Sequence, residues 1–366
     1  MRRKSILSVV LASVIILTMV SGNASVYAKV ETKRQIVVFE ENVDNDKKTE
    51  ILEKHKASKI KDIKGTNAVV ISVSSDNNVS NESDVRFVED DYIISIEGST
   101  SKKVKDSDDN ATDQPAEVVP WGVEYMNDLT SDGDNTGAGI KVGIIDTGID
   151  VDHPDLNGNI KGGYNATSKK KSFDDDNGHG THVAGIIAAV DNDIGVVGVA
   201  PDAELYAVKA LDSTGNGYIS DVIEGIEWCI ANNIDIINMS ISIEADSNAL
   251  HETVIEAYCS GIIMVAAAGN NYGDNCEFPA AYDEVIGVGA LDINVEIAMF
   301  SAKNGVDVWA PGVEIFSTYY EDTYLTMNGT SMAAPHWIKQ LIKINFTEDY
   351  NEKDNCNDDD GKYYFK

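Results

Sequence analysis

The sequence predicts an α/β protein built on a central parallel sheet and preceded by a small α+β unit. Three observations carry this expectation. Between residues 140 and 290, apolar runs of strand length alternate with segments of helical periodicity, the pattern of a parallel sheet with helices on both faces. The runs are apolar almost throughout, as strands covered on both faces must be. A shorter, strand-rich stretch, 33–98, is set apart by residues 99–115, which are rich in Ser, Asp, Lys and Asn and lack apolar periodicity.

In chain order, residues 1–28 read as a leader. Arg2, Arg3 and Lys4 precede an apolar run over 6–20, and Val26-Tyr27-Ala28 offers a small-residue cleavage site, the layout of a secretory signal peptide. A membrane anchor is the competing reading, because the run is only slightly short of the ~20 residues of a span. Export with cleavage leaves a secreted protein with no membrane attachment. The 61 acidic against 29 basic residues give a net charge of −32, which argues against nucleic acid as a partner and supplies oxygen ligands suited to calcium. The four cysteines (Cys229, Cys259, Cys276 and Cys356) have no zinc-type spacing and are too few for a disulfide scaffold.

Residues 35–39, 68–73 and 85–89 read as strands, 46–57 as a helix, 80–84 as a short helix start, and 92–96 as extended chain. A unit of this size has a thin core and wants a partner surface. The polar segment 99–118 reads as an exposed linker, where proteolytic nicking concentrates. Small domain, cleavable linker and large domain together suggest a prosegment ahead of a catalytic domain at 119–346. The acidic end, 347–366, reads as disordered.

In the large domain, strands are expected at 140–145, 203–209, 234–239, 262–268 and 285–290, and helices at 179–190, 219–232 and 248–260. Ligand sites of such sheets lie beyond the C-terminal strand ends. Asp146 ends its strand, His179 opens a helix after Asn177-Gly178, and Ser331 opens another after Gly329-Thr330. A carboxylate, an imidazole and a hydroxyl at one sheet edge are the parts of a Ser–His–Asp site, in the chain order Asp, His, Ser.

Three stretches now carry a resemblance: Val142-Gly143-Ile144-Ile145-Asp146-Thr147-Gly148, Asn177-Gly178-His179-Gly180-Thr181-His182-Val183-Ala184-Gly185 and Gly329-Thr330-Ser331-Met332-Ala333-Ala334-Pro335-His336. Together they resemble the signatures of the subtilisin-like serine proteases, over about 119–336. The resemblance implies a three-layer fold around the parallel sheet, and residues 33–98 resemble the family's inhibitory, chaperone-like propeptide. It further implies that Asn270, in Ala267-Ala268-Gly269-Asn270, helps the Ser331 backbone N–H hold the oxyanion. Gly215, Asn216 and Gly217 would pair with an extended substrate backbone, and Ser240, Ile241 and Ser242 would form a wall of the pocket before the scissile bond. A calcium ion is implied on Asp155, the Asn192 side chain, the carbonyls of Val190, Ile194 and Val196, and Glu117 from the mature N-terminal segment.

Two features depart from the family. Ser242 and Ile243 replace glycines and should narrow or reshape the pocket wall. After His336 the chain reads Trp337-Ile338-Lys339-Gln340 instead of a small-residue continuation, so a tryptophan is expected to overpack a core helix, and residues 337–346 to form a short amphipathic helix. A naturally reduced C-terminal part and an altered reading frame near codon 336 are alternative origins. The leading expectation is a monomeric, calcium-stabilised endopeptidase acting on peptides or proteins, made as a zymogen and inhibited by its own propeptide. The alternatives are a catalytically impaired pseudoprotease and a dedicated processing protease for one precursor.

Overall fold

The computed structural model describes residues 32–96, 114–130 and 135–345. The expected signal peptide, most of the linker, the acidic tail and Cys356 lie outside the described residues.

The N-terminal unit comprises β1 (Thr32–Phe39), α1 (Asn45–Lys54), β2 (Ser58–Ile63), β3 (Ala68–Ser74), β4 (Val85–Asp90) and the short β5 (Ile93–Ser95). The first four strands form an antiparallel sheet in the order β2-β3-β1-β4. Alternation sorts its side chains. Val37 and Phe39 face α1 in a small cluster with Ile51 and Leu52, while Ile36 and Val38 join the core of the large domain. Two expectations fail here. Residues 80–84 form turns instead of a helix start, and Ser58–Ile63 is a strand that sequence reading passed over. That strand buries only Ile63, so it lacks the apolar alternation by which strands are recognised.

The large domain continues with α2 (Trp121–Thr130), β6 (Lys141–Asp146), β7 (Ile160–Asn165), α3 (His179–Ala188), β8 (Glu204–Lys209), β9 (Asn216–Tyr218) and α4 (Ile219–Ala231). Then follow β10 (Ile236–Met239), α5 (Asn248–Cys259), β11 (Ile263–Ala267), β12 (Val285–Leu291), β13 (Val308–Pro311), β14 (Ile315–Tyr319), β15 (Thr323–Met327) and α6 (Thr330–Asn345). Seven strands make the parallel sheet, in the order β13-β12-β11-β10-β6-β8-β7. Val142 and Ile144 of β6 pack into a cluster with residues of α2, α3 and α6, whereas Ile145 packs with residues of α4 and α5. The three layers follow from that alternation.

Helix α6 is continuous from Thr330 to Asn345, not broken before a separate helix at 337. Ile338, Leu341 and Ile342 enter the core, while Trp337 is only half-buried beside it. The tryptophan therefore sits at the rim of the core, and the expected overpacking is relieved by the rotation of the helix. The segment read as linker through residue 118 also needs correction. Ala116 and Val118 pair with Ile194 and Val196, so these residues belong to the large domain.

Candidate active site

Three adjacent parallel strands carry the site at their C-terminal ends. Strand β6 ends in Asp146, β10 runs into Ser240, and β11 runs through Ala268 and Gly269 to Asn270. Neighbouring strands lie ~4.8 Å apart, so the sheet alone brings these three positions together. Asp146 is fully buried, and both its oxygens meet His179 Nδ1, at 2.8 and 2.9 Å. The close approach of α3 to β6 depends on small residues. A Cβ on Gly180 would lie 2.1 Å from the Gly148 carbonyl oxygen. Gly178, with φ of 109°, turns the chain into α3 where a side chain would strike Tyr319.

Burial pulls the His179 imidazole down, but the charge and hydrogen bond of Asp146, with the field of Asp175, raise it above its ordinary value. Its Nε2 is buried and has no hydrogen-bond partner among the described residues. With Nδ1 donating to Asp146, that nitrogen is an acceptor available to take a proton. Asp175 was not singled out by sequence. Its carboxylate accepts from the backbone and hydroxyl of Thr181 and from the Gly178 N–H, fixing the turn that presents His179.

Ser331 is the second residue of α6, so its amide is one of the N–H groups without an intrahelical acceptor. Its hydroxyl donates to the Ser240 carbonyl at 2.9 Å, and the Ser240 hydroxyl donates back to the Ser331 carbonyl at 2.7 Å. The second bond has a local cause. The helical partner of that carbonyl would be the N–H of residue 335, which is proline. Asn238 Nδ2 in turn donates to the Ser240 hydroxyl at 2.9 Å. Asn270 Oδ1 accepts from the Thr330 backbone at 3.0 Å and from its hydroxyl at 3.2 Å, which directs Nδ2 the other way. A point at the Cβ position of Gly329 lies 3.6 Å from Ser331 N and 3.7 Å from Asn270 Nδ2. Two donors thus flank one small space above Gly329.

The edge segment is occupied by the chain itself. Strand β5 pairs antiparallel with β9, matching Ile93 to Tyr218, Ile94 to Gly217 and Ser95 to Asn216. Ile96 N donates to the Gly215 carbonyl at 3.0 Å. On its other side Ser95 pairs with Ser242. Residues 93–95 therefore run between the two segments assigned from sequence to substrate, with Ile94 buried in the same apolar cluster as Ile241. Sequence reading called residues 92–96 extended but did not seat them here.

The residues expected to hold calcium also converge. Asp155 is fully buried. One of its oxygens accepts from Val196 N at 2.9 Å, and the other, Oδ1, has no partner among the described residues. Desolvation pushes its carboxyl up to about 6. Glu117 accepts from Asn192 N at 2.9 Å, and the Asn192 side chain accepts from Ile194 N at 3.1 Å. Val190 N donates to the Asp155 carbonyl, and the Gly195 N–H and carbonyl bind Pro115 and Val118. Among the described residues no three His, Cys, Asp or Glu side chains converge as a metal cluster. A set of two carboxylates, one amide and main-chain carbonyls does not require one, and the unpartnered buried Oδ1 fits a hard cation.

The fold and this sheet edge define a class, and comparison with known proteins identifies it. Residues 137–337 match the subtilase family. The chain is 48% identical to Subtilisin DY of Bacillus licheniformis over 227 residues, 60% of this chain and 82% of that protein. It is 39% identical to Subtilisin E of Bacillus subtilis (strain 168) over 353 residues, 92% of this chain and 87% of that protein. Subtilisin J of Geobacillus stearothermophilus matches to the same extent. The chain belongs to the subtilase family and is a serine-type endopeptidase acting on peptide or protein substrates. No helix among the described residues is long and apolar enough to cross a membrane.

Proposed function

We propose that the chain is a secreted, calcium-stabilised endopeptidase made as a zymogen, with Asp146, His179 and Ser331 as its triad. The observation that carries the reading is the His179–Asp146 pair with an unpartnered Nε2, one sheet edge away from a serine at a helix N-terminus. In the reaction the Ser331 hydroxyl leaves the Ser240 carbonyl, gives its proton to His179 Nε2 and attacks the substrate carbonyl. Asp146 holds the imidazole and stabilises its charged form. Ser331 N–H and Asn270 Nδ2 donate to the oxyanion in the space above Gly329. His179 then protonates the leaving amine, and water releases the acyl group by the reverse sequence.

The zymogen reading rests on β5, which fills the groove as an added strand in the manner of a bound peptide. The similarity to Subtilisin E over 92% of this chain extends into the N-terminal unit as well. Calcium would be held by Asp155, Asn192, Glu117 and the carbonyls of Val190, Ile194 and Val196. It would offset the buried Asp155 charge and tie residues 115–118 to the loop after α3, a structural role. Secretion follows from the leader at 1–28.

Intact mass of the protein exported from its full chain, with calcium, beside Ser331→Ala tests the reading. The wild type should lose its N-terminal unit by a cut between Gly98 and Val119, and the variant should keep it. Retention by both, with both folded by circular dichroism, refutes self-processing through Ser331.

A further inference from the structure

Among the buried acids of the large domain, Glu277 is one of the few with little hydrogen bonding. It is 5% exposed and lies immediately behind the site. Its backbone N–H donates to the Ala268 carbonyl at 3.0 Å, and its carboxylate rests on Gly269, the residue before Asn270. A Cβ at Gly269 would lie 2.7 Å from Glu277 Cδ and 2.8 Å from Oε2. Asn271 Nδ2 donates to Oε1 at 3.1 Å, and among the described residues the carboxylate has no other hydrogen bond and no ion pair. Most other buried acids are better provided, except Asp155, whose Oδ1 is unpartnered, and Asp150, which accepts one hydrogen bond, from Asp322 N at 3.3 Å. Asp221 and Glu224 share Lys61, Glu284 meets His251, and Asp175 accepts four hydrogen bonds. Burying a carboxylate against a single neutral amide is costly unless a cation completes it.

The surrounding backbone gives that cation a place. Residues 240–243 form one wall and 268–270 the other. Residues 277–278 close the end between them, since Phe278 exchanges two 2.9 Å hydrogen bonds with Ile243 while Glu277 bonds Ala268. Ser331 stands at the open end, bonded to Ser240. A chain running in the groove past Ser242, as Ser95 does, meets the mouth of this slot next to the nucleophile. We propose that the slot receives a basic side chain, so that the enzyme cleaves after Lys or Arg with Glu277 as the specificity-determining residue. A buried acid in the pocket before the scissile bond selects basic residues on general electrostatic grounds.

This inference rests on the proposed protease mechanism, and its test separates the two. Otherwise identical peptides with Lys, Arg, Phe, Leu or Glu before the scissile bond are assayed with wild type and Glu277→Gln. Lys or Arg should exceed Phe in kcat/KM by at least about tenfold, and that ratio should fall by about tenfold or more in the variant. A wild type that favours Phe or Leu, or a ratio unmoved by Glu277→Gln, overturns the proposal. If the variant does not fold, the wild-type preference decides. Absence of all hydrolysis would overturn the mechanism, and the slot assignment with it.

Discussion

The two sheets of this chain cover their faces by different means. The seven-stranded parallel sheet is enclosed by helices of its own domain, α2, α3 and α6 on one face and α4 and α5 on the other. The four-stranded antiparallel sheet has only α1. Its second face, with Ile36, Val38, Ile63, Ala68 and Val70, shares a core with α4 and α5. Units of this size seldom draw more than ~3–5 kcal/mol from a core of their own. The small sheet is therefore shaped as a partner, and polar contacts set its register. Lys61 reaches Asp221 and Glu224, Arg86 reaches Glu252, and Glu89 accepts the Asn248 N–H at the start of α5. In the other direction, Glu227 of α4 accepts the N–H groups of Lys64, Gly65 and Thr66. Each domain caps backbone groups that the other leaves open.

The contrast can be broken at either sheet. The largest effect is expected at the parallel sheet's edge. Asn270→Ala should lower kcat by about 10²- to 10³-fold, roughly 3–4 kcal/mol of barrier, with little change in KM. Steady-state kinetics on a small peptide reads it, and an effect confined to KM would remove Asn270 from the oxyanion site. Next comes the loop that ties residues 115–118 down. Calcium at a hundredfold over its Kd should stabilise the mature enzyme by about 2.7 kcal/mol, and Asp155→Asn should abolish most of that gain. Thermal melts with and without chelator measure it. At the small sheet, Lys61→Met leaves Asp221 and Glu224 without that partner and should weaken prosegment inhibition by about 30-fold, roughly 2 kcal/mol. An inhibition constant unchanged in this variant would show that apolar contact alone docks the small sheet. The smallest effect is in pH. Because the His179 pKa is raised and the neutral imidazole is the base, kcat/KM should rise with pH through an apparent pKa above 6.5, with activity lost below it. A limb centred below 6.5 would contradict the Asp146 coupling.

The five inner strands of the parallel sheet and the candidate site were legible because their signals are local, whereas the edge strands β7 and β13 were not expected. Asp146-Thr147-Gly148, Gly178-His179-Gly180 and Gly329-Thr330-Ser331 each combine a functional side chain with glycine where the chain turns or approaches closely. The hairpin of β14 and β15 was not legible. Its turn sets Glu321 and Asp322 at φ of 61° and 55°, where glycine or asparagine would have announced it. Helix α2 was missed for a different reason. It is one short segment after Pro120, and its core contribution is Val123 and Met126, too few to establish a period.

Sequence by itself determined the five inner strands of the parallel sheet, the helices α3, α4 and α5 between them, and the residue types at the sheet edge. Those depend on periodicity and on turns spanning a few residues. Tertiary structure decided that Ser331 bonds Ser240, that residues 93–95 lie between 216–218 and 242, and that Glu277 lies buried against Ala268 and Gly269 beside Asn270. Each of these joins residues brought together only by strand order and packing, and no local pattern encodes a contact between distant segments.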